Sequence, residues 1–97
     1  MPTQLRLYTI NRGCLDQFAE EWRAKVLPLR NQQGYQVLRS WKLPETNQFV
    51  WVLHYDGPLN WAEAEAAYYG SAARSAMDPN PARLIARAEE YFIEDFT

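Results

Sequence analysis

His54 is the single histidine of this 97-residue sequence, and imidazole is the side chain that ordinarily changes charge near neutral pH. It sits near the end of an apolar run, Gln48 to Tyr55, on the same alternating face as Val50 and Val52. In a pocket it would act as a general base, and it is the catalytic candidate. The plainer reading is a strand-end histidine bonded to backbone or water, because no partner carboxylate or nucleophile is visible beside it. Arg6 and Tyr8 share one face of the first apolar segment. A buried guanidinium must be compensated. Arg6 therefore pairs with a carboxylate, Glu90 or Glu94, or holds an anionic ligand that the Tyr8 hydroxyl orients.

Other chemistry-bearing residues are weaker. Trp22, Trp41 and Tyr68 are ring candidates for a pocket that takes a planar ligand, and Trp51 and Trp61 belong to the same aromatic set. Helix-stripe core and subunit interface are the competing places for these rings. Cys14 opens a helix, where amide dipoles lower a thiol pKa, yet it has no basic partner in sequence and reads as a small turn residue. Arg74 would close a pocket mouth or lie in solvent. Glu89, Glu90, Glu94 and Asp95 are interleaved with Tyr91, Phe92 and Ile93 and read as strand-edge charges, not as a metal site.

One histidine and one cysteine exclude a multi-histidine metal site, a cysteine cage and an internal disulfide. No metal and no cofactor are expected. Ten basic against twelve acidic side chains leave a net charge of -2, which excludes nucleic-acid binding by bulk electrostatics. The start lacks a charged leader followed by an apolar run, so no signal peptide is expected. The longest apolar stretch, Phe49 to Leu53, falls far short of the roughly 20 residues that span a bilayer. No membrane contact and a cytoplasmic, thiol-reducing setting are therefore expected. At this length, residues 1–97 are expected to form one domain.

The elements that must hold these residues are legible from period. Residues 4 to 11 alternate as a strand, with Leu5 and Leu7 opposite Arg6, Tyr8 and Ile10. Past Gly13 the period lengthens: Leu15, Phe18, Trp22, Val26 and Leu29 form one buried stripe, with Arg30 among the polar residues mostly off it. Pro28 predicts an end or kink near Val26 or Leu27. Tyr35 to Leu43 alternates again, placing Tyr35, Val37, Arg39 and Trp41 on one side. Pro44 to Asn47 is turn chemistry, and Gln48 to Tyr55 completes a hairpin. Asn60 and Glu63 predict a capping box for a second helix striped by Trp61, Ala64, Tyr68 and Ala72. A turn of helix and a last strand over Ala88 to Phe96 close the chain.

Strand, helix, strand, strand, helix, strand predicts an α+β, ferredoxin-like domain: a four-stranded antiparallel sheet with both helices on one face. The strands nevertheless carry large apolar residues on both faces. An antiparallel sheet with a wetted face should be polar there, so a homodimer with sheets face to face is expected.

The same residues carry a resemblance. Leu5 to Ile10, Gly13 opening an amphipathic helix, Gly34 before a strand ending in Trp41, and Asn47 leading into a strand that finishes Tyr55-Asp56 resemble the NIPSNAP family, over residues 4 to 96. That resemblance implies a dimeric α/β barrel of the ferredoxin-like group and little defined chemistry. Relatives on the same barrel include cofactor-independent monooxygenases, haem-degrading enzymes and polyketide cyclases, an analogy of fold alone. The RNA-recognition module has the same element order, but Glu45 to Val50 lacks the basic residue and glycine it needs.

Two functions remain open. One is a small-molecule pocket between sheet and helices, taking an aromatic or anionic ligand, with oxygenase or cyclase-type chemistry: His54 moves the proton while Arg6 and Tyr8 steady an oxyanion. The other is a non-catalytic dimeric interaction or regulatory module. A cavity on the order of a few hundred cubic ångströms reached by His54 and Arg6 would favour the first. A filled core with Arg6 salt-bridged would favour the second.

Overall fold

The structure, a computed structural model, describes residues 2–97. Its elements are β1 (Thr3–Ile10), α1 (Leu15–Glu21), a π-turn (Trp22–Val26), α2 (Leu27–Gln32), β2 (Tyr35–Leu43), β3 (Gln48–Tyr55), α3 (Trp61–Tyr69), α4 (Ala72–Ser75), a 3₁₀ turn (Pro81–Leu84) and β4 (Ile85–Phe92). The four strands form one antiparallel sheet in the order β2-β3-β1-β4. This is the ferredoxin-like α+β arrangement expected from the element order, with the helices on one face. No helix among the described residues is long and apolar enough to cross a membrane.

Alternation along β1 and β3 decides what each face holds. Gln4, Arg6, Tyr8 and Ile10 are buried under the helices, as are Phe49, Trp51, Leu53 and Tyr55. Thr3, Leu5, Leu7, Val50, Val52 and His54 point to the other, helix-free face, where cross-strand pairs such as Leu5–Val52 and Leu7–Val50 meet. Rings knit the helix-side core together: Phe18–Phe49 at 5.2 Å, Trp22–Phe49 at 4.9 Å and Trp22–Trp51 at 5.3 Å between centroids. Each such pair adds about 0.5–1.5 kcal/mol beyond area burial.

Three local departures from the sequence pattern matter for the site. Of the end or kink expected near Val26 or Leu27, the helix shows no end. It takes a π-turn, with the Leu27 amide bonded to Trp22 O, and runs on to Gln32. Pro28 has no amide to donate, and it sits in the first turn of α2, where none is needed. The second departure is in β2, where the register with β3 shifts between Val37 and Arg39. That bulge leaves Tyr35 and Val37 on the helix side but turns Arg39 and Trp41 to the face of Val52 and Val50. The expected common face for all four is thereby corrected. Third, β4 spans Ile85–Phe92, starting and ending earlier than the pattern suggested, and Phe96 lies beyond it in solvent. The paired cap is as expected: Asn60 accepts from the Glu63 amide at 2.9 Å, and Glu63 accepts from the Asn60 amide at 3.1 Å. Ala64 and Tyr68 are buried, while Ala72 falls beyond the helix end at Gly70 and is exposed.

Candidate functional site

Between sheet and helices the chain buries a charge cluster. Arg6 on β1 and Arg30 on α2 are each 1% exposed, and between them stands Glu65 of α3. Arg6 Nη2 donates to Glu65 Oε1, and Arg30 Nη1 donates to Glu65 Oε2. The Tyr35 hydroxyl donates to Oε2 as well, at 2.5 Å. The Tyr69 hydroxyl accepts from Arg6 Nη1 at 3.1 Å and from Arg30 Nη2 at 3.3 Å. Arg6 Nε donates to the buried Gln4 amide oxygen at 2.8 Å. Glu90, expected as the partner, stands 3.6 Å from Arg6 Nε and is half in solvent. Glu65 takes the main pairing role, and Glu94 lies outside the last strand.

The π-turn explains how Arg30 enters. Arg30 comes eight residues after Trp22, which in a regular helix places it about 80° from the Trp22 direction. One extra residue in a turn sets every later side chain back by about 100°, bringing Arg30 close to that direction. Its guanidinium then lies over the Tyr68 ring, 3.6 Å from the centroid, and 5.7 Å from the Trp51 centroid. Cation–π contact with desolvated rings offsets part of the burial cost.

Electrostatics fix the protonation states. Burial pushes the Glu65 carboxyl up, but the Arg30 hydrogen bond and the charges of Arg30 and Arg6 outweigh it, leaving the carboxyl below its ordinary value. Burial also works against the Arg6 charge, yet the surrounding Tyr8, Tyr69 and Glu65 oxygens raise its pKa further. Burial raises the hydroxyls of Tyr8, Tyr35 and Tyr68, and for Tyr35 the Glu65 carboxylate adds to it. Two guanidiniums share one buried carboxylate. One positive charge is left for the half-exposed Glu90 alone.

Beside this cluster is a cavity of about 60 Å³, walled by Tyr8, Trp22, Arg30, Trp51, Tyr68 and Arg74 among others. Of the residues singled out from the sequence, Tyr8, Trp22 and Tyr68 meet at this cavity, and Arg6 sits in the charge cluster at its back. Arg74 is half-buried on its wall, its guanidinium 5.2 Å from the Tyr69 ring. Trp41 is elsewhere. It is 44% exposed, opposite Val50, bordering a groove between α1 and the edge of β2. Cys14 is a half-buried thiol next to the first helix, 3.6 Å from Arg12 O.

His54 corrects the joint scheme. It lies on the helix-free face, with Nδ1 2.7 Å from Thr3 Oγ1 and Nε2 4.0 Å from an Asp56 oxygen. Arg6 and Tyr8 point through the other face, because positions of opposite parity on paired strands cannot share a side. A proton relay from His54 to a ligand held by Arg6 and Tyr8 is not built within one chain. Among the described residues, no cluster of metal-ligating side chains is present.

No family model matches the chain, and no curated relative matches it. Solved structures do. A NIPSNAP domain protein from Burkholderia xenovorans superposes with a TM-score of 0.83 at 18% identity, covering 99% of this chain and 95% of that one. A NIPSNAP family protein from Agrobacterium tumefaciens gives 0.84 at 14% identity, covering 98% and 92%. An antibiotic biosynthesis monooxygenase gives 0.66 at 10% identity, covering the whole of both chains. The chain therefore has the ferredoxin-like fold of the NIPSNAP-domain structures, and it shares that fold more distantly with the monooxygenase.

Proposed function

We propose that this chain is a homodimeric, non-catalytic ligand-binding module whose site is the aromatic cavity between sheet and helices. The observation that carries the reading is the pair of fully buried arginines sharing one carboxylate at the wall of that cavity. Charge is placed there at a cost of several kcal/mol per ion, and a cavity whose wall includes Arg30 and Tyr69 of that cluster gives it a use. The cavity is small against the roughly 300–1,000 Å³ of sites for drug-sized molecules, and Arg6 is salt-bridged. Both features favour binding over turnover.

The second copy is proposed to cover the helix-free face. Leu5, Leu7, Val50 and Val52 form its centre, and the exposed Leu38, Trp41 and Tyr91 extend it. A contiguous apolar patch on a sheet face marks an interaction surface. Cys14 staying reduced in a cytoplasmic setting belongs to the same reading. His54 falls in this covered face and is read as an interface residue.

Cofactor-independent oxygenation or cyclase-type proton transfer is the second reading. Its support is the fold likeness to the antibiotic biosynthesis monooxygenase and the Tyr8 hydroxyl beside Arg6. The separating experiment is a crystal structure of protein purified without added ligands. Paired sheets with density confined to the small cavity support the module. A pocket opened to several hundred cubic ångströms around a planar compound supports the enzyme.

A further inference from the structure

Resting on that reading, we propose that the cavity takes a small carboxylate anion with a short apolar tail. Among the described residues its only charged wall residues are Arg30 and Arg74, and no carboxylate lines it. Three buried N–H groups of its lining residues have no acceptor: Arg30 Nε, Trp22 Nε1 and Trp51 Nε1. All three can only donate. No acceptor of the wall meets any of the three.

Glu65 does not supply it, because both of its oxygens are already engaged by Arg6, Arg30 and Tyr35. The Tyr69 hydroxyl accepts from both arginines, so its own proton is a further donor at the wall. A carboxylate offers about four lone-pair sites in a plane and the missing negative charge together. A low-dielectric aromatic lining strengthens such contacts. Phe18, Val26 and Ile85 add apolar surface to the wall, which suits a methyl or ethyl end. A volume of about 60 Å³ admits a few heavy atoms and excludes an extended aromatic acid.

The test uses the full chain with ¹⁵N-labelled tryptophan, titrated with sodium acetate at constant ionic strength. Of the four indole N–H resonances, those of Trp22 and Trp51 are expected to shift saturably, while Trp41 and Trp61 stay put. Neutral acetamide should move neither. Arg74→Gln, a half-exposed change that leaves the core intact, should weaken acetate binding about fivefold, as loss of one charge-assisted contact does. If acetamide shifts Trp22 and Trp51 as acetate does, or Arg74→Gln binds unchanged, the anion assignment fails while the pocket stands. Phosphate acting in place of acetate overturns the carboxylate. If none of these probes, nor phenol as a neutral aromatic, moves either resonance, the pocket reading falls with it.

Discussion

Glu65→Gln keeps the size of the side chain and one carbonyl acceptor, but removes the only buried negative charge between Arg6 and Arg30. Both guanidiniums remain 1% exposed, and the half-exposed Glu90, 3.6 Å from Arg6 Nε, is the carboxylate left beside them. Breaking a buried ion pair from one side costs about 3–5 kcal/mol, a large part of the roughly 5–15 kcal/mol that holds a domain together. For a chain of this size, that is a fall of about 12–40 °C in Tm. Urea unfolding monitored by tryptophan fluorescence reads it directly, since Trp51 touches both arginines. Arg30→Met in the Glu65→Gln background should cost less than in the parent by about 1–3 kcal/mol, because it removes a charge that has lost its partner. The pH dependence has a definite sign. The folded carboxyl lies below its ordinary value of 4.5, so its stabilisation is complete above that pH and is lost as pH falls further. The variant should lack that acid-side slope. A loss under 1 kcal/mol for Glu65→Gln, or strict additivity with Arg30→Met, would refute the buried-charge argument.

Removing the cap by Asn60→Ala should cost about 1 kcal/mol and lower Tm by about 4–8 °C, checked by thermal melting. On alkaline titration, Tyr8, Tyr35 and Tyr68 should stay protonated past their ordinary value of 10.0, and stability should fall as pH rises above it. Tyrosinate absorbance would show those rings ionising only together with loss of circular dichroism. Leu7→Lys places a charge at the centre of the helix-free face, and sedimentation velocity should then show an 11.4 kDa monomer with unchanged secondary structure.

Much of this arrangement is legible in the residues. The apolar alternation of Leu5 to Ile10 gives β1 its two faces, Gly13 and Gly34 turn at positive φ, and the Asn60–Glu63 spacing marks where α3 begins. Arg6 reads correctly as a charge that must find a carboxylate. Its partner was not legible, because Glu65 borders the Ala64–Tyr68 stripe and looks like a solvated helix residue. The available signal was the spacing of Glu65 and Tyr69, four apart on the flank of that stripe. Arg30 was hidden for a different reason: its inward turn depends on a π-turn, and a 3.6-residue period assigns it outward. The bulge in β2 likewise reverses Trp41 with no glycine to announce it. His54 could be placed on a face by parity, but that face could not be assigned to helices or partner from one strand alone.

In the proposed assembly two copies close over the helix-free face while a small ligand occupies the arginine-lined cavity. Native mass spectrometry of protein purified without added ligand tests both parts at once. The expected species has twice the 11.4 kDa chain mass and carries a small adduct that disappears on acid unfolding and is depleted in Arg74→Gln. A bare single-chain species at micromolar concentration would contradict both parts.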